Sequence, residues 1–266
     1  MKEFAHKHYI ICSLVIALLI GIIYVFGLPL GLFNYDVAGN NIFYMFNMIL
    51  ASVICIILVK ALYPEWRFGF QLKGFVDGLS KYGWTGFVGA ALILIYSYYA
   101  FRPFAKTPTV GVILIWVIIY CFLVALIEEL LLRGLLLNTL LKGFQCHKQC
   151  IIMAILVSNI FFGLGHIPGM LQYSIGLIIA KLAWTIGLGI YLACVYVLTD
   201  SLWTAITLHW TINVSGLIFY YFTSSQNPYA NALGALIIFW MLAVIGLINL
   251  AKKNHLKEHK NNMKLS

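Results

Sequence analysis

Polar positions are sparse along this chain and fall at intervals, separating long runs that are almost wholly apolar. The runs cover approximately 9–33, 42–62, 82–101, 110–140, 150–167, 180–198, 201–221 and 231–250. Each has about 17 residues or more, enough as a helix to cross a hydrocarbon core of ~30 Å. A chain in lipid must satisfy its backbone N–H and C=O groups internally, so the pattern predicts helices. The expectation is an all-α polytopic membrane protein, a bundle of about eight transmembrane helices forming one membrane domain over residues 1–266. The first run follows a short basic start, as a signal peptide would. Its apolar stretch continues through Gly27-Leu28-Pro29-Leu30-Gly31, beyond the roughly 7–15 residues of a signal core, and no small-x-small pattern closes it. It reads as a retained helix.

Composition agrees: 63% of the 266 residues are apolar and 9% charged, against about 25% charged in soluble domains. Cytoplasmic loops of membrane proteins carry the positive excess. With the N-terminus inside, the inner segments hold Lys2, Lys7, Lys60, Arg67, Lys73, Lys81, Lys142, Lys148, Lys252, Lys253, Lys257, Lys260 and Lys264, and the outer ones Arg102, Lys106 and Lys181. Both termini are therefore expected to be cytoplasmic. The net charge of +9 is a topology signal with an attraction to inner-leaflet lipid, and gives no reason to invoke nucleic acid as a partner. Between the second and third runs, Tyr63 to Lys81 is amphipathic and is expected to lie on the inner membrane surface. Four of the six cysteines, Cys12, Cys55, Cys121 and Cys194, fall inside apolar runs as small packing residues. Cys146-His147-Lys148-Gln149-Cys150 has no second ligand pair, so interfacial thiols explain it better than a metal site. No internal repeat is visible, which disfavours an ion-coupled transporter.

Within the fourth run, Glu128 and Glu129 are the only acidic residues. An ionisable side chain at membrane depth costs at least ~2.5–3.5 kcal/mol on insertion, so it marks a functional or paired group facing the protein interior. Arg133 stands at i+4 from Glu129, the favourable order for an ion pair on one helix face. Glu128 is rotated by about 100° and is free to face another neighbour. A buried charge network that only fixes helix packing is the competing reading.

Two histidines add to this. His166 and Glu128 are equally far from residue 147, in the polar turn between the fourth and fifth runs, so in an antiparallel pair they share a level. Gly163, Gly165 and Pro168 around it suggest that the helix opens there. His209 and Asn213 share a face of the seventh helix, although His209 lies only about 12 Å along that helix from Ser201, which makes its depth match poorer. A carboxylate, two imidazoles and an amide suit hydrolysis. Glu128 would deprotonate a water, His166 orient it, and His209 and Asn213 donate to the oxyanion. Alternatively Glu128, His166 and His209 would ligate Zn2+.

E-E-L-L-L-R at 128–133, F-G-L-G-H at 162–166 and H-W-T-I-N at 209–213 resemble the EExxxR, FxxxH and HxxxN/B motifs of the CPBP (Abi) family of intramembrane proteases, which includes the CAAX prenyl endopeptidases. The resemblance covers roughly 110–220, a catalytic core by this likeness. It implies Glu128 as the water-activating residue, Glu129 and Arg133 as the rest of the first motif, and His166, His209 and Asn213 as the other catalytic positions. Metal-dependent and metal-free glutamate mechanisms both stay open. There is no HExxH, no GxSG, and no GxGD partner for Tyr35-Asp36, which sets other intramembrane protease classes aside.

The expected activity is hydrolysis of a membrane-embedded peptide or protein substrate in the cell membrane. The basic pattern and compact size suit a bacterial protein, for which the resemblance implies peptide maturation or self-immunity against bacteriocins. The alternative is a non-catalytic immunity or scaffold protein that binds a toxin or a transporter. The intact motif set favours the enzyme.

Overall fold

The computed structural model describes residues 8–26, 40–101, 110–144, 148–222 and 230–263. Lys2, Lys7, Gly27 to Gly31, Tyr35, Asp36, Arg102, Lys106, Cys146, His147 and Lys264 lie outside the described residues. Eight helices follow one another: α1 (Tyr9–Phe26), α2 (Asn40–Leu62), α3 (Phe75–Phe101), α4 (Val110–Glu129, continuing through a π-helical stretch Leu130–Leu137 into Asn138–Gly143), α5 (Lys148–Gly165), α6 (Ile175–Thr199), α7 (Leu202–Leu217) and α8 (Ala232–Met263). The predicted all-helical membrane bundle is what the chain forms. Among the described residues five helices, in α2, α3, α4, α6 and α8, are long and apolar enough to cross a membrane, and Ile10–Tyr24 and Cys150–Gly165 are shorter apolar segments. α7 has 16 residues and carries His209, Asn213 and several hydroxyls.

Helix α6 is the axis. From Leu188 to Tyr196 every side-chain position is buried, and the helix packs against α5, α7 and α8. α7 fills the space between α3 and α4, while α1 rests on α2 and on the π-helical part of α4. Around this core, apolar side chains such as Ile95, Val112, Ile115, Ile179 and Trp240 point outward, as lipid-facing positions should.

The segment between α2 and α3 has one face buried against the bundle and one exposed, with Glu65, Arg67, Gln71, Leu72 and Lys73 on the exposed side. Tyr63, Trp66 and Phe68 are buried, and the chain folds across the ends of α4, α6 and α7. Trp66 Nε1 donates to Gly134 O at 2.8 Å, Trp203 Nε1 donates to Phe70 O at 2.9 Å, and Leu202 N–H donates to Gly69 O at 2.7 Å. Lys60 closes the turn by donating to the carbonyls of Pro64 and Trp66. The buried face of this amphipathic segment is its aromatic one, whose indole donors find carbonyl partners at the helix ends. Helix α3 accordingly begins at Phe75, earlier than the apolar run alone indicated.

The α6–α7 turn is covered by this segment. Asp200 takes the left-handed conformation at φ 53°, which Asp tolerates better than most residues, and Gln71 Nε2 donates to its carbonyl at 2.8 Å and its carboxylate at 2.7 Å. Lys253 donates to Leu198 O at 2.7 Å, a cation on the C-terminal turn of α6. Cys55, Cys121 and Cys194 are buried free thiols.

Gly69 has φ +83°, and a Cβ there would come within 2.9 Å of Tyr196 Cε2 and 3.3 Å of Leu202 N. Gly69→Ala should therefore destabilise the protein by about 1–3 kcal/mol, read as a lower melting temperature in detergent. Gly21→Ala, where a Cβ meets nothing within 4 Å, should leave it within about 0.5 kcal/mol of wild type.

Candidate active site

At the end of the regular part of α4 the two carboxylates diverge as the 3.6-residue repeat requires. Glu129 points into the bundle and is fully buried, whereas the Glu128 side chain keeps 13% of its surface exposed. Glu129 pairs with Arg133 as the i, i+4 spacing indicated: Arg133 Nη1 donates to Glu129 Oε1 at 2.9 Å. The other end of the guanidinium is held by two helices. Arg133 Nη2 donates to Gly189 O on α6 at 2.7 Å and to Asn159 Oδ1 on α5 at 3.3 Å. Asn159 is itself fixed through its Nδ2, which donates to Ile155 O at 2.7 Å. A Cβ on residue 189 would fall on the Asn159 carboxamide, so glycine lets α5 and α6 approach closely enough to share the arginine.

His209 reaches the same place from α7. Its Nδ1 lies 2.8 Å from Glu129 Oε1, and its Nε2 lies 3.6 Å from Glu128 Oε2. Since an ionised carboxylate only accepts, Nδ1 carries the proton shared with Glu129 and Nε2 is turned towards Glu128. The weak depth match expected for His209 is thus reversed: it stands level with both carboxylates. The α6–α7 turn is tied to residues 69–71, and two turns of α7 separate Leu202 from His209.

His166 follows α5 directly, half-buried, with its Nδ1 at 2.9 Å from Phe162 O. Phe162 links the two imidazoles, meeting His166 edge-on at 4.9 Å and His209 edge-on at 6.1 Å, while the Arg133 guanidinium lies 5.6 Å from its centroid. The direct neighbour of Glu128 is therefore His209 rather than the level-matched His166. Asn213 is half-buried one turn along α7 from His209.

Three site residues escaped the sequence reading. Asn159 was signalled by an amide within an apolar run, where a polar side chain needs a partner. Lys181 was assigned to an outer segment but lies inside α6, half-buried, 5.1 Å from the Trp184 ring. Tyr24 on α1 donates from its hydroxyl to Glu128 Oε1 at 3.3 Å, and nothing local in the sequence signals that contact.

For zinc, a catalytic site needs three converging protein ligands. Among the described residues no three His, Cys, Asp or Glu side chains form a group able to hold a metal ion, so Glu128, His166 and His209 do not constitute a ligand set.

Residues 110–215 match the family model for the type II CAAX prenyl endopeptidase Rce1-like proteins. This part of the chain is an Rce1-like domain. The family is one of proteases, so residues 110–215 form a CAAX protease-like domain set in membrane helices. The match contains α4, α5, α6 and the part of α7 that bears His209 and Asn213, and leaves out α1, α2, α3 and α8. No curated protein and no solved structure matches the chain.

Arg133→Ala should cost about 3–5 kcal/mol, because Glu129 and Asn159 lose a buried partner. Combining it with Glu129→Ala should cost less than the sum of the single changes. Folded yield by size-exclusion chromatography and thermal melts in detergent measure this, and strictly additive losses would rule out energetic coupling within the pair.

Proposed function

We propose that this protein is an intramembrane endopeptidase that cleaves a membrane-associated peptide or protein with a water activated by Glu128. It works as one membrane domain whose catalytic core is 110–220, in a cell membrane with both termini on the cytoplasmic side. Peptide maturation or bacteriocin self-immunity is the biological role that fits. The observation that carries the reading is the unequal setting of two adjacent carboxylates around one histidine. Glu129 is sealed in with Arg133 and His209, whereas Glu128 is open on one side.

The chemistry follows from that division. Glu129 fixes the ring orientation and tautomer of His209, as a carboxylate does for a catalytic imidazole. Glu128 accepts a proton from water, and the water oxygen forms a bond to the scissile carbonyl carbon. The resulting oxyanion is stabilised by the side chains of His209 and Asn213. His166 orients the water. The proton held by Glu128 then passes to the departing nitrogen, the C–N bond breaks, and the carboxylic acid and amine so formed exchange the remaining water proton to give a carboxylate and an ammonium. Every proton is accounted for by these side chains, and no step runs through a metal.

Wild type and Glu128→Gln, reconstituted in liposomes, should differ by at least ~10²-fold in peptide release while both insert and accumulate equally. The probes are an internally quenched transmembrane peptide and a prenylated CAAX peptide. Mass spectrometry of peptides released from cell membranes supplies the native substrate. Equal release by the two proteins would remove Glu128 as the base and leave the scaffold reading.

Metal content gives a separate check. Activity should survive exhaustive chelation. Stoichiometric zinc whose removal and return track activity would overturn the metal-free scheme.

A further inference from the structure

We propose that Tyr24 is a positioning residue of the active centre, holding the Glu128 carboxylate in its working orientation, so that α1 completes a site whose other members all lie within residues 110–215. The inference rests on Glu128 acting as the base. Glu128 has three rotatable bonds and an open side, and a base must be fixed before it can direct a water. Its Oε2 is 3.6 Å from His209 Nε2, too long for a hydrogen bond. Among the described residues its one hydrogen bond is from the Tyr24 hydroxyl to Oε1, at 3.3 Å.

The placement is built rather than incidental. Thr139 Oγ1 donates to Ser13 Oγ at 2.9 Å, a second tie between α1 and α4. Ser13 and Tyr24 are 24 − 13 = 11 residues apart, and Glu128 and Thr139 are 139 − 128 = 11 apart. Two antiparallel helices joined at both levels hold the phenol in register with the carboxylate. A tyrosine near a membrane helix end ordinarily turns its hydroxyl to the headgroups. This one is half-buried and turned onto an acid.

Kinetics on whichever quenched probe wild type cleaves decide the matter. Tyr24→Phe should lower kcat roughly tenfold with KM within about twofold, and leave the melting temperature and yield near wild type. Para-aminophenylalanine at position 24, which restores a donor at the same point, should recover kcat to within about threefold. Unchanged kcat in Tyr24→Phe overturns the proposal. So does a rise in KM alone, which would place Tyr24 on the substrate, or a loss of folded protein with kcat per folded molecule unchanged, which would make it a packing residue. If wild type is no faster than Glu128→Gln, the peptidase reading itself fails and takes this one with it.

Discussion

A guanidinium that cannot lose its proton lies at membrane depth with 1% of its surface exposed, and the bundle is arranged around satisfying it. Arg133 has five N–H donors in a fixed plane and no way to become neutral. Its partners come from three helices: Glu129 on its own α4, Asn159 on α5 and the Gly189 carbonyl on α6. Glu129 passes the constraint to α7 through His209. A buried ion pair need not add net stability over an apolar core, but leaving one member unpaired is costly. The pair therefore acts on registry, penalising any sliding of α4, α5, α6 or α7 relative to the others. Chemistry that depends on sub-ångström placement is thus attached to the most tightly specified point in the fold.

Two departures from regular structure support that point. The π-helical stretch Leu130–Leu137 begins directly after the carboxylates, and π-turns widen a helix and re-aim its side chains. The Gly134 carbonyl within it accepts from both Trp66 Nε1 and Asn138 Nδ2, so the irregular backbone is supported from the side. Asn138 in turn is tied to Tyr196 Oη at 2.7 Å. Segment 63–74 supplies the second departure, sealing the turn between α6 and α7 with its own backbone carbonyls.

What the sequence made legible were features with short-range periodicity. Apolar runs marked the helices, and the i, i+4 rule marked Glu129 with Arg133. His209 and Asn213 were recognisable as one face of a helix. Contacts between distant segments were not legible in the same way. Tyr24 reads as an interfacial aromatic until α1 is docked on α4. Lys181 stands at the very start of the run 180–198 and counts with the outer segment, whereas the helix starts nearly two turns earlier, at Ile175. Depth was the weakest inference, since counting residues from a turn assumes that every turn lies at the same level. It is His209, and not His166, that meets the carboxylates.

The hydrogen bond from Leu202 N–H to Gly69 O has a consequence for how α7 is held. Helix α7 is short and bears imidazole, amide and hydroxyl groups, so it has little affinity of its own for lipid. The surface that receives its first turn is a loop synthesised more than a hundred residues earlier, between α2 and α3. The first turn of α7 is thus received by backbone that precedes it in the chain and lies outside the family match, so the polar helix is bound on its buried side to protein groups rather than left to lipid.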